Sequence, residues 1–123
     1  MLDRTIPFYN MILRCDSYAR KEPSLPDGYE IVSYREGYEE DWARLEFAVG
    51  DFERLEDAKS YFVSAYLTDR GKRKSILFLL NPVKQVIGSC IAWQDHRGDA
   101  EISSLHWLVV DERYQGKGLG KAV

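Results

Sequence analysis

Cysteine, histidine and net charge are all scarce in this sequence, and each scarcity closes off a class of function. Two cysteines, Cys15 and Cys90, cannot build a disulfide framework, and neither belongs to a Cys-x-x-Cys pair. With the two histidines, His96 and His106, they offer no metal-ligand spacing. Seventeen basic residues against twenty acidic give a net charge of -3, so the surface as a whole is not a nucleic-acid footprint. No apolar run approaches the length of a membrane span, and the first residues lack the apolar core of a signal peptide. A reducing cytoplasm is the expected compartment. Internal repeats and low-complexity tracts are absent too.

What the 123 residues do contain suits one globular domain, with 45% hydrophobic residues to fill a single core. Residues 1–28 show no clean periodicity and are set apart as an N-terminal extension. Within them Ile6, Phe8, Met11, Ile12 and Leu13 are apolar enough for a short element packed on the core. The stretch Arg20 to Gly28, with Pro23 and Pro26, reads as an irregular approach. Tyr29 to Arg35 alternates and is rich in β-branched and aromatic residues, which predicts a first strand ended by Gly37. From there Tyr38, Trp42, Leu45 and Val49 form a helical stripe, with Glu39, Glu40 and Asp41 in the first turn and Gly50 as the stop. Asp51 is placed to cap a second helix that carries Leu55, Ala58, Phe62 and Ala65 on one face and fades near Thr68–Gly71.

The pattern then changes to strands. Ser75 to Leu80 is a short apolar run closed by Asn81-Pro82. Val86 to Trp93 follows, where Gly88 marks a bulge or a close backbone contact. Glu101 to Val110 is the third strand of the run, and the short connections favour an antiparallel meander. Arg70 to Lys74 reads as a solvated basic loop tip. The fold class is α+β, mostly antiparallel, in the order strand, helix, helix, three strands, helix start.

The final stretch places glycines at alternate positions, Gly116, Gly118 and Gly120, directly after a strand. Such spacing lets successive backbone N–H groups converge on an anion, and a helix beginning there adds its own unpaired donors. Two familiar phosphate motifs do not fit. The Walker pattern would need glycine at Gln115 and a hydroxyl residue at Ala122; the dinucleotide fingerprint would need glycine at Lys121 or Val123. The pattern Gln/Arg-x-x-Gly-x-Gly/Ala fits Gln115-Gly-Lys-Gly-Leu-Gly120 position by position. On that motif, behind two helices and a meander, the chain resembles the GNAT superfamily of acetyl-CoA-dependent N-acetyltransferases. The specific likeness covers about the last twenty residues, and the element order from Tyr29 onward matches the first half of such a domain.

The resemblance implies that backbone amides of Gln115, Gly116, Lys117, Gly118, Leu119 and Gly120 hold the coenzyme A pyrophosphate. Lys117 and Lys121 would add charge, while Leu108, Val109 and Val110 would pair with the amide-rich pantetheine arm as a neighbouring strand would. It also places a base or base relay at Ser104 and His106. For His106 a second reading stays open, a half-buried strand histidine bonded to its neighbours. Simple alternation sets Ser104, His106, Leu108 and Val110 on one face and Leu105, Trp107 and Val109 on the other. Glu101 reads as a surface carboxylate. Asp51 and Glu53 read as a cap and a solvated acid before they read as an amine attractor, and Trp42, Phe47 and Phe52 as core before substrate cage. Two departures from the family pattern stand out: Asp111 where proline is common and Gln115 where arginine is common.

The expected activity is acetyl transfer from acetyl-CoA to a primary amine, on a small molecule or a peptide. The alternative is a non-catalytic acyl-CoA-binding or interaction module. Residues 29–123 are expected to be an incomplete domain, because the helix opened at Gly118 has few residues before Val123. The tyrosine that serves such enzymes as general acid would lie beyond that point. A sheet edge left bare after Val110 leaves open pairing between copies of the chain.

Overall fold

In a computed structural model of the chain, the described residues are 5–7, 13–16, 19 and 24–123, without the side chains of residues 95–97. Of the apolar residues expected to form an N-terminal element, Phe8, Met11 and Ile12 lie outside this set. Ile6 and Leu13 lie inside it, belong to no helix or strand, and are 65% and 91% exposed. They do not pack on the core. The approach segment is irregular as expected, with Gly28 at φ 86°.

Seven elements follow: β1 (Glu30–Ser33), α1 (Tyr38–Ala48), α2 (Leu55–Tyr66), β2 (Ile76–Leu80), β3 (Val86–Arg97), β4 (Ala100–Val110) and α3 (Leu119–Ala122). The strands form one antiparallel sheet in the order β1-β2-β3-β4. The fold is therefore mixed α+β, in the element order that the periodicities predict. A buried asparagine builds the β2–β3 turn. Asn81 Oδ1 accepts from the backbone N–H groups of Val83 and Gln85, and its Nδ2 donates to Gln85 Oε1 and to the Tyr114 hydroxyl. That last bond ties the turn to the segment after β4.

The two faces of the sheet are covered unequally. One face, with Ile76, Phe78, Leu80, Val86, Ile91 and Val109, packs against α1 and α2. Trp42 of α1 is at its centre, fully buried, with the Phe62 ring stacked 4.8 Å away and Trp107 edge-on at 5.6 Å. The other face buries Leu79 and Ile87 under Leu119, the first residue of α3, with Tyr29, Ile31 and Tyr114 around them.

Helix α1 begins after Gly37, whose φ of 99° is a left-handed value that glycine adopts without strain. Helix α2 starts later than the sequence suggests. Its first flanking residue is Arg54, without a side-chain cap, so Asp51 does not cap it; the acids Glu56 and Asp57 occupy its first turn instead. Leu55 is 43% exposed and so falls off the buried face formed by Ala58 and Phe62. The basic stretch Arg70–Ser75 is a 3-10 turn rather than a free loop tip. Asp69 caps it, Arg73 donates to the Leu67 carbonyl and lies over the Tyr34 ring, and Lys72 lies over Trp93.

This packing assigns very different weights to two residues of the same helix. Phe62→Ala is expected to lower the unfolding free energy by about 3–5 kcal/mol through cavity formation. Leu55→Ala is expected to cost less than about 1 kcal/mol. Urea unfolding of both variants tests the assignment, and a Leu55 effect equal to that of Phe62 would refute it.

Candidate functional site

The site is shaped by an irregularity in β4. Ser89 pairs with Val109, but Ile91 pairs with His106, so Trp107 and Leu108 together stand opposite Cys90. Trp107 takes a φ of 52° to accommodate the extra residue. A bulge of this kind resets the alternation of side chains. The expected opposition of His106 and Trp107 is accordingly wrong. His106 reaches Tyr66 of α2, and Trp107, the next residue, also points to the helix layer, among Trp42, Phe52 and Tyr61. Gly88 on β3 permits the close approach, because a Cβ there would stand 3.0 Å from the Val109 carbonyl oxygen.

Before the bulge, His106 is held at both ring nitrogens. The Tyr66 hydroxyl lies 2.8 Å from Nδ1 and the Ser104 hydroxyl 2.9 Å from Nε2. Ser104 and His106 are thus brought together, with the Trp93 ring beside the imidazole. Glu101 is exposed, as expected.

After the bulge the chain turns through Asp111 and the 3-10 turn Glu112–Tyr114 into the glycine stretch. Here the two departures from the family pattern acquire structural uses. The Asp111 backbone N–H donates to the Ile87 carbonyl at 2.7 Å, a bond that proline could not make. Its carboxylate accepts from the Arg113 backbone N–H and guanidinium, and this pairing holds it below the usual carboxylate range. Gln115 Nε2 donates to the Val110 carbonyl at 2.9 Å.

Gly116 and Gly118 have φ values of 79° and 77°, which a side chain would strain. Around both, the position a Cβ would take is open, with nothing within 4 Å. Gly120 is different: its φ is not left-handed, and an added Cβ would make an ordinary 3.7 Å contact with Val110. Lys117 and Lys121 are exposed. The Leu119 side chain is buried against Leu79 and Ile87, so only its backbone is available to a ligand.

Two adjoining clefts follow from this geometry. One, of about 370 Å³, is lined by Tyr114, the glycine stretch, Leu108, Val110 and Gln115. The other, of about 290 Å³, shares Leu108, Val110 and Gln115 and adds Val109, Glu46, Val49 and Asp51. Together they run beside β4, which among the described residues has a strand partner on one side only.

Glu46 is the functional candidate that pattern reading misses. It is 1% exposed, on the inner side of α1, and its Oε1 has no hydrogen-bond partner among the described residues. Burial pushes its carboxyl up to about 9, helped by a hydrogen bond that the protonated Glu46 donates to the Asp51 carboxylate and by repulsion from that charge. A signal was available. Glu46 lies four residues after Trp42 and three before Val49, so it interrupts the apolar stripe itself.

Over residues 29–123 the sequence matches the family model described as Acetyltransferase (GNAT) family. A crystal structure of a GCN5-related N-acetyltransferase from Sphaerobacter thermophilus is similar in fold, with a TM-score of 0.54 and 18% sequence identity. The likeness covers 83% of this chain and 31% of that one, so the chain spans less than a third of that protein's length. No curated protein matches the sequence. Among the described residues no helix is long and apolar enough to cross a membrane.

The state of Glu46 sets a pH dependence of stability. Between the usual carboxyl value of 4.5 and about 9, the folded chain keeps a proton that the unfolded chain releases. Unfolding free energy therefore falls as pH rises through this window, by at most about 1.4 kcal/mol per pH unit from this group. Denaturation curves across the window should show a shallower fall in Glu46→Gln than in the parent chain. Parallel pH profiles would mean that Glu46 is already ionised in the folded state.

Proposed function

Since the chain belongs to the GNAT acetyltransferase family, we propose that it moves an acetyl group from acetyl-CoA to a primary amine. The observation that carries this reading is the continuity of the glycine stretch with the open side of β4 along the two clefts. The left-handed Gly116 and Gly118 expose backbone donors where open space admits a pyrophosphate. Lys117 and Lys121 add positive charge beside them, and Leu108 and Val109 offer their backbone to the amides of the pantetheine arm, up to the Val110 carbonyl that Gln115 already engages. When bound, acetyl-CoA would supply the thioester carbonyl that the amine attacks and, as its C–S bond breaks, the CoA thiolate that leaves.

The chain's own contribution to chemistry lies on both sides of the bulge. The proton lost by the attacking amine passes to His106 Nε2 through the Ser104 hydroxyl, which lies 2.9 Å from that nitrogen. Tyr66 at Nδ1 fixes the ring orientation and stabilises the proton once it arrives. The local break in strand pairing at Trp107–Leu108 leaves backbone groups of β4 outside the regular ladder, where an N–H is suited to stabilise the developing oxyanion.

Calorimetric titration with acetyl-CoA, CoA and ATP tests the ligand class, and thiol release with a panel of primary amines tests turnover. Both coenzyme A species should bind and ATP should not; ATP binding without either coenzyme would end the proposal. Gly118→Glu, which puts a carboxylate in the cradle, is expected to weaken CoA binding by about a hundredfold or more. His106→Ala is expected to lower kcat by about a hundredfold while leaving CoA affinity nearly unchanged. A pH–rate profile identical to that of the parent chain would remove the proton-accepting role from His106.

A further inference from the structure

Behind the glycine stretch stands a buried amide that acetyl transfer as described does not use. Asn81, in the β2–β3 turn, is 3% exposed. Its orientation is fixed, because Oδ1 accepts from the backbone N–H groups of Val83 at 3.1 Å and Gln85 at 2.9 Å. Nδ2 must therefore face the other way, where it donates to Gln85 Oε1 at 2.9 Å and to the Tyr114 hydroxyl at 3.0 Å. Every donor and acceptor site of the amide is thus in use. The turn itself is closed without Tyr114, since the Asn81 N–H also donates to the Gln85 carbonyl and the Lys84 N–H to the Asn81 carbonyl. The bond to Tyr114 reaches instead to the segment that opens the glycine stretch, 33 residues further along the chain.

Tyr114 carries this connection to the cleft. Its backbone N–H donates to the Asp111 carbonyl at 2.8 Å, and its ring meets Tyr29 edge-on at 6.5 Å and packs against Leu79, Ile87 and Leu119. The same residue lines the cleft beside Gly116 and Gly118. Two cations lie over its ring, Arg113 at 5.9 Å and Lys117 at 5.4 Å. They are not equivalent. Arg113 is committed to the Asp111 carboxylate at 3.0 Å, whereas Lys117 has no carboxylate partner among the described residues. The face of an aromatic ring attracts an ammonium group and so favours one seat for it. No ring lies under Lys121 among the described residues.

We propose that Asn81 is a positioning residue for coenzyme A: through Tyr114 it fixes the seat of the Lys117 ammonium beside the glycine cradle. The inference rests on the acetyltransferase reading and adds to it a residue far outside the contiguous motif. Asn81 itself touches no ligand. Its buried amide pins the Tyr114 hydroxyl, the pinned ring holds Lys117, and Lys117 presents an unneutralised charge where the left-handed glycines expose their backbone donors. Of the two lysines in the stretch, Lys117 therefore carries the larger share of the affinity for phosphate.

Calorimetric titration of the full chain with CoA, at low and at high salt, tests the proposal. Tyr114→Phe keeps the ring and removes only the hydroxyl, and is expected to weaken CoA by about fivefold. Asn81→Ala should weaken it as well, and adding Tyr114→Phe should cost nothing further. Gln85→Ala removes the other partner of the same Asn81 nitrogen, and is expected to leave CoA affinity within about twofold of the parent chain. Lys117→Ala is expected to cost about tenfold in the parent chain but only about twofold in Tyr114→Phe, and Lys121→Ala about threefold or less. Added salt should weaken the parent chain more steeply than Tyr114→Phe or Lys117→Ala, because both variants lack the aimed charge. Equal losses in Gln85→Ala and Tyr114→Phe, or additive losses for Tyr114→Phe and Lys117→Ala, would overturn the proposal. Failure of the parent chain to bind CoA would reject the acetyltransferase reading, and amide exchange would then judge the strut by itself. Faster exchange across Gly116–Gly120 in Tyr114→Phe, but not in Gln85→Ala, would uphold the positioning role; equal rates would end it.

Discussion

The site depends on a bulky residue held in a backbone region that bulky residues avoid. Trp107 adopts a left-handed φ at the bulge of β4, a conformation that costs about 1–3 kcal/mol unless its surroundings enforce it. The enforcement is visible in the core. Its ring is wedged among Trp42, Phe52 and Tyr61, from α1, the interhelical link and α2. Aromatic packing of this extent outweighs the local strain, since each buried ring contributes a few kcal/mol. On the opposite side Gly88 removes the Cβ that would collide with the Val109 carbonyl. Without either condition β4 would pair regularly, and His106 and Trp107 would point to opposite faces.

Much of this architecture was legible because it is periodic. The stripe Tyr38, Trp42, Leu45 and Val49 specifies a helix lying on a core, and the run of apolar strands specifies the meander. The glycine stretch was legible for a different reason. Gln115 to Gly120 is contiguous, so its meaning does not depend on what lies across from it. The bulge is the opposite case. It is a property of two strands in register, and the period-2 rule applied to β4 alone puts Leu108 with His106 and Trp107 on the other face. Gly88 hinted at a close approach without saying which partner would be displaced.

Glu46 and Asp51 show how local rules mislead at a functional edge. Asp51 after a helix stop and before another apolar stripe has every local mark of an N-cap. The helix starts at Leu55 instead, and Asp51 turns toward Glu46. Apolar spacing alone treats a charged residue between stripe positions as solvated, and so gives Glu46 no weight. Its inward position conflicts with its polarity, and conflicts of that kind collect where a chain handles ligands. The N-terminal residues teach the complementary lesson: Ile6 and Leu13 are apolar without being buried, and isolated exposed apolar side chains are ordinary on a protein surface.

The bond from Gln115 to the Val110 carbonyl closes off the last acceptor of β4 with the chain's own side chain. Any ligand amide that reached this carbonyl would replace one neutral hydrogen bond by another, with little net gain. Gln115 therefore works as a stop mark on the strand: it fixes where strand-like pairing with a ligand ends and where recognition by the glycine backbone begins.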